Sequence, residues 1–221
     1  LEYLNFFYSS SPIGRNAQRT VNVLFAILVL SFFALQANSA EKSKNTDKSA
    51  KFWLKNPQLK ELLFENRKIL ISARKLDQGW SFKGVGGLKT DLNTSWKRAL
   101  EFSELKKASR FLHEVKYDEA LKNLSLVISI LGKEFPLKLK LDFDPQSQSA
   151  ERVVHMKVIE GYFKGAQGDV IFLDSQGQGT QVECLAFYEK EVSFNETIFQ
   201  VTIEAVMKYV AEIMRTHIEQ R

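Results

Sequence analysis

At 221 residues, 44% of them hydrophobic, with a formal net charge of +5, the chain is long enough to bury one real core and reads most simply as a single domain behind a leader. Lysines alternate with acids along its whole length, as on a solvated face, which argues against a nucleic-acid footprint and leaves a weak preference for anionic surfaces. Cys184 is the one cysteine, so no intrachain disulfide can form and the fold must stand on packing.

Leu1 in first place reads as the start of a fragment or of a chain translated from an alternative start codon. Arg15 and Arg19 precede an apolar run over 21–35, and Gln36-Ala37-Asn38-Ser39-Ala40 follows it. Positive flank, apolar centre and small-residue end are the parts of a secretory signal peptide. The run is shorter than the ~20 residues a spanning helix needs. Cleavage near Ser39 or Ala40 is therefore expected, with an uncleaved membrane anchor at 21–35 as the alternative. Both place the domain outside the cytoplasm, periplasmic or secreted. Residues 41–51 are polar and lack aromatics, as a flexible spacer does. A short helix is expected within Phe52 to Asn66, with Pro57 near its first turn and Leu59, Leu62 and Leu63 on one side. The organisation is then 1–40 signal peptide or anchor, 41–66 linker and short helix, and 67–221 the domain.

Lys68 to Leu76 alternates (Ile69, Ile71, Ala73), turns at Asp77-Gln78-Gly79, and continues as a second strand from Trp80, which reads as a hairpin. Gly84-Val85-Gly86-Gly87-Leu88-Lys89-Thr90 is no phosphate loop. The four-residue spacer and the terminal Gly-Lys-Ser/Thr are missing, and the run sits late in a strand. Asp91 to Trp96 reads as a helix start capped by Asn93 or Thr94, with Trp96 and Leu100 at i, i+4. A second short helix is expected over 103–109, capped by Ser103.

Period-2 strands follow. Phe111, His113, Val115 and Tyr117 share one face. Leu124, Leu126, Ile128 and Ile130 share another, with Asn123, Ser125 and Ser129 opposite. Phe135, Leu137, Leu139, Leu141 and Phe143 share a third, with Lys138 and Lys140 opposite. Alternation of this kind means antiparallel strands with one wet face. Strands at 152–159, 169–174 and 180–189 complete the series. From Thr197 to about Gln220 there is neither Gly nor Pro. The stripe Phe199, Ile203, Val206, Val210, Ile213 keeps a helical period, and Asn195 can cap the start.

The order of short helices, antiparallel strands and one long final helix resembles the START-like superfamily of polyketide cyclases, coenzyme Q-binding proteins and lipid-transfer domains, over roughly residues 80–221. Thr90 to Trp96 is similar to the segment entering the first helix of that family. Ser109 to Tyr117 resembles its next strand. Glu160-Gly161, Phe163-Lys164-Gly165 and Gly168-Asp169 resemble its glycine-punctuated hairpin, and Gly179-Thr180 its turn into the last strand. The proline usual before the first helix is missing. The resemblance implies an α+β helix-grip fold, a curved antiparallel sheet of about six or seven strands around the C-terminal helix. It also implies a lipid-like or isoprenoid quinone ligand in the gap between sheet and helix.

His113, His155 and His217 lie in separate elements without metal-ligand spacing, so a metal site has little support. No catalytic residue and no cofactor is assigned. Cys184 reads as a small buried hydrophobe, and neither Glu160 nor Glu183 makes an acid/base pair. His113 reads as a hydrogen-bonded core histidine, and as a cavity-lining polar group in the sharper alternative. His113, Tyr117, Phe135, Met156, Phe199, Val206 and Val210 are the candidate ligand-binding residues. The expected function is an exported, non-enzymatic carrier of a hydrophobic small molecule that reaches an anionic membrane surface through its spacer. A cyclase or dehydratase working through His113 is the first alternative. A protein-interaction domain whose cavity is filled by Phe and Met is the second.

Overall fold

The computed structural model describes residues 57–130, 133–144, 151–192 and 195–220, all within the compact unit Ser39–Arg221. The expected leader, anchor and spacer lie outside the described residues.

Helix α1 spans Pro57–Lys60 and runs on as a π-helical turn, Glu61–Glu65. Pro57 occupies the first turn, where its missing N–H forfeits no bond. Leu59 and Leu63, at i and i+4, pack on Val85, whereas Leu62 is 39% exposed rather than on their side. The i, i+4 pair stacks on one face, and the residue between them is turned away.

Among the described residues one antiparallel sheet holds β1 (Leu70–Lys75), β2 (Trp80–Leu88), β3 (Leu112–Asp118), β4 (Asn123–Ile130), β5 (Lys133–Phe143), β6 (Glu151–Glu160), β7 (Gln167–Asp174) and β8 (Thr180–Tyr188), in spatial order β1-β2-β8-β7-β6-β5-β4-β3. The sheet is one strand wider than expected because the first hairpin is part of it. Its second strand pairs with β8 from Trp80↔Tyr188 to Leu88↔Thr180. The hairpin turn needs Gly79, whose φ is +81° and where a Cβ would stand 2.1 Å from the Tyr188 carbonyl oxygen.

Between β2 and β3 lie α2 (Leu92–Ala99), a 3-10 turn (Phe102–Glu104) and α3 (Leu105–Ala108). The cap of α2 is Asp91, not Asn93 or Thr94. Its carboxylate accepts from the Thr94 N–H at 3.0 Å and from the Thr94 hydroxyl at 2.6 Å. Thr94 is the third helical residue, the one whose N–H a cap receives, so the cap falls three positions earlier. Ser103 lies inside the 3-10 turn, and α3 starts without a side-chain cap.

The last helix, α4 (Glu196–Glu219), starts where the Asn195 side chain accepts from the Thr197 and Ile198 N–H groups, as the sequence predicts. At 24 residues it is about 36 Å long. Both ends are fixed. Phe199 is fully buried with its ring centroid 4.5 Å from that of Trp80 and 6.4 Å from that of Phe82. One turn on, Glu204 accepts from the Ala73 N–H at 2.8 Å, occupying a donor of edge strand β1. At the far end the Glu219 carboxylate takes the two Arg67 guanidinium nitrogens and the Lys89 N–H (2.7 Å), while Arg98 donates to the Ile218 carbonyl at 2.7 Å. His217, also at that end, is buried with Nε2 2.9 Å from the Arg98 carbonyl.

Candidate functional site: the concave face beneath the last helix

Register assigns the faces of the curved sheet. Trp80 and Phe82 meet Phe199, so even-numbered β2 residues face α4. Pairing carries that face across as three rungs. They are Phe82–Ala186–Gly168–Met156–Leu141, Gly84–Cys184–Val170–Val154–Phe143, and Gly86–Val182–Phe172. Farther out the same face continues as Tyr117–Leu124–Leu139–Val158, Val115–Leu126–Leu137 and Leu112–Ile128–Phe135.

One end of this concavity is filled. Trp96 of α2 sits edge-on to Phe143 (6.2 Å) and Phe172 (5.6 Å), and Phe102 packs on Tyr117 at 4.8 Å. A hydroxyl chain fixes α2 there. Ser95 Oγ lies 2.6 Å from Thr90 Oγ1 and 3.0 Å from Thr180 Oγ1, and both Ser95 and Thr180 are fully buried. The Trp80–Phe199 stack closes the other end.

The centre is different. Along α4 each residue turns about 100°. Val206, Val210 and His217 therefore point within about 20° of Phe199, on the side facing the sheet. Phe199 and His217 are 0% and 6% exposed, yet Val210 between them is 50% exposed and Val206 only half-buried. Below them Gly168, Cys184 and Ala186 are too short to rise to the helix, whereas over Gly84 and Gly86 the side chains of Ile71 in β1 and of the preceding Ile69 come within 2.8 and 3.4 Å of where a Cβ would stand. Leu126, Ile128, Leu139, Met156 and Val170 on that face are also half-buried. A helix held at both ends over small side chains leaves apolar surface uncovered from both sides. Such surface is what an apolar ligand would cover.

Tyr117, Phe135 and Met156 lie on this inner face, and Val206 and Val210 on the helix above it. Phe199 belongs to the same face but closes its end instead of lining the opening. His113 lies elsewhere. The β3–β4 register shifts between Leu112 and Glu114, so Leu112 takes the inward place opposite Ile128 and His113 becomes the extra residue of a bulge. Its ring is exposed on the outer face, with Nδ1 2.5 Å from Glu134 Oε1. The core-histidine reading is corrected accordingly. His155 is also outward, 2.7 Å from Asp169.

The inner face carries little reactive chemistry. Burial pushes the Cys184 thiol up to about 11, so it stays protonated at neutral pH and is a poor nucleophile. Burial likewise raises the Tyr117 phenol above its ordinary value. Glu183, pointing to the opposite face, is buried and raised by that burial, against the Gln181 amide that donates to it at 2.7 Å. Sequence reasoning missed Leu112, Gly168 and Ala186 as lining residues.

No family profile and no curated sequence matches the chain. Solved structures do. A START superfamily protein from Mycobacterium smegmatis is similar at 9% identity over 63% of this chain and 97% of that one, with a TM-score of 0.52. A STAR-related lipid transfer protein from Xanthomonas axonopodis (fragment 25–204) is similar at 11% identity over 68% and 93%, with a TM-score of 0.55. Human STARD10 is similar at 8% identity over 68% and 69%, with a TM-score of 0.53. The architecture is a START-like helix grip. At these identities the likeness concerns the fold.

Proposed function

We propose that the protein is an exported carrier that holds a hydrophobic small molecule, a lipid or an isoprenoid quinone, between the sheet and the centre of α4. One observation carries this reading: Val210 is half exposed on the helix face whose two ends are sealed. The lipid-transfer name of one structural neighbour supports it. The surroundings of the opening (Leu126, Leu139, Met156, Val170, Cys184, Ala186, Val206) are uncharged, which suits an uncharged ligand body. Burial at ~25 cal/mol per Å² would supply most of the affinity. Export rests on Arg15, Arg19 and the apolar run 21–35.

The cyclase or dehydratase alternative loses the group it relied on, since His113 points away from the concavity. The test is saturable binding of the neutral dye Nile red, repeated on Val206→Trp, whose indole would occupy the gap. Binding in the parent and its loss in a stably folded Val206→Trp support the carrier. Absence of saturable binding, or equal binding in both proteins, overturns it.

A further inference from the structure

A second apolar surface lies on α4, outside the concavity. Ile198, Val201, Ala205 and Tyr209 follow one another at i, i+3, i+7 and i+11, on a flank turned about 80–160° from Phe199. Ile198 is 58%, Val201 63% and Tyr209 40% exposed, and Ala205 is exposed as well. The opposite flank, carrying Glu204, is the one that packs on β1. The apolar stripe therefore looks toward the β3 side, where Tyr209 meets Phe111 at 6.0 Å. That is also the side on which the inner face is left uncovered.

Cations border the stripe. Lys208 is exposed and continues the line of Val201 two turns on. Arg110, exposed, stacks its guanidinium 5.1 Å from the Phe111 ring and so stands beside Tyr209, and Lys106 is exposed on α3. The acids of the helix are engaged: Glu196 by Lys75 at 3.4 Å, Glu204 by the Ala73 N–H, and Glu212 by Arg215. We propose that this stripe is a docking surface for an anionic phospholipid bilayer, lying in the interface with Ile198 and Val201 inserted and Lys208, Arg110 and Lys106 over the headgroups. Apolar side chains flanked by cations are what such a surface selects. Docking there would bring the open side of the concavity against the membrane. It thus deepens the carrier reading by naming the place of loading and release.

The test is vesicle flotation of the full chain with phosphatidylcholine vesicles and with vesicles containing added phosphatidylglycerol. Ile198→Asp/Val201→Asp and Lys208→Glu/Arg110→Glu are compared with the parent, so any contribution of residues 21–35 is common to all. The thermal midpoint checks folding. The expected results are binding favoured by phosphatidylglycerol, at least about tenfold weaker in the Asp pair. In the Glu pair the phosphatidylglycerol preference is lost. Unchanged vesicle binding in the Asp pair overturns the proposal, as does a parent dimer that the Asp pair dissociates, which would make a second copy of the chain the occupant. Nile red binding is measured on the same samples. Its absence in the parent removes the carrier reading, while the flotation result still decides the docking surface.

Discussion

Two substitutions on one face of α4 separate an open centre from a packed one. Phe199 and Val210 point within about 20° of each other, and a helix uniformly buried against a sheet would penalise truncation at both. Phe199 is fully enclosed against Trp80 and Phe82, so Phe199→Ala should cost about 3–5 kcal/mol, the transfer and cavity terms together. Val210→Ala removes two carbons worth about 0.8 kcal/mol each when fully buried. At 50% exposure this falls to about 0.8 kcal/mol in total, without a cavity term because the space is already open. Urea unfolding, with the slope checked for constancy, reads both values. A Val210→Ala cost above about 2 kcal/mol would show that the helix is packed against the sheet there and that its centre is closed.

Other consequences follow from single groups. Burial pushes Glu219 up, but Arg67 and the Lys89 N–H outweigh it, so its folded pKa lies below the ordinary 4.5. Its stabilisation is therefore present above pH 4.5 and lost as pH falls through the lower folded value. Glu219→Gln should cost about 1–3 kcal/mol at neutral pH and remove that part of the acid sensitivity in urea midpoints measured against pH. An unchanged acid profile would contradict this. Glu183 is shifted the other way: burial raises it, and its Oε2 is buried without a hydrogen-bond partner. Ionisation is then penalised at neutral pH, and Glu183→Gln should stabilise by about 1 kcal/mol. That gain should disappear as pH falls below the raised value, and destabilisation would show that the charge is compensated. His113→Ala should change stability by less than about 0.5 kcal/mol and leave Nile red binding intact; weakened binding would return His113 to the site.

Alternation revealed most strands, and the glycine- and proline-free stripe after Asn195 revealed the helix, because both signals are local. The bulge at His113 was hidden for the opposite reason. Phe111, His113, Val115 and Tyr117 alternate cleanly in sequence, and only the pairing with β4 shows that Leu112 takes the inward place. The low floor escaped notice in the same way. Gly168, Cys184 and Ala186 come from two strands, and register alone makes them neighbours. Fixing of the C-terminal end of α4 depends on Arg67 and Lys89, about 130–150 residues away in the chain. The flank bearing Ile198 and Val201 was in the sequence but overshadowed by the stronger Phe199 stripe.

A ligand held beneath the middle of α4 should be visible by native mass spectrometry, with lipid extraction, on residues 41–221 purified from a host with ordinary membranes. A stoichiometric, neutral lipid or quinone should co-purify with the parent and be missing from Val206→Trp. A ligand-free mass for the parent, together with no saturable Nile red binding, would contradict this and favour a closed interaction domain.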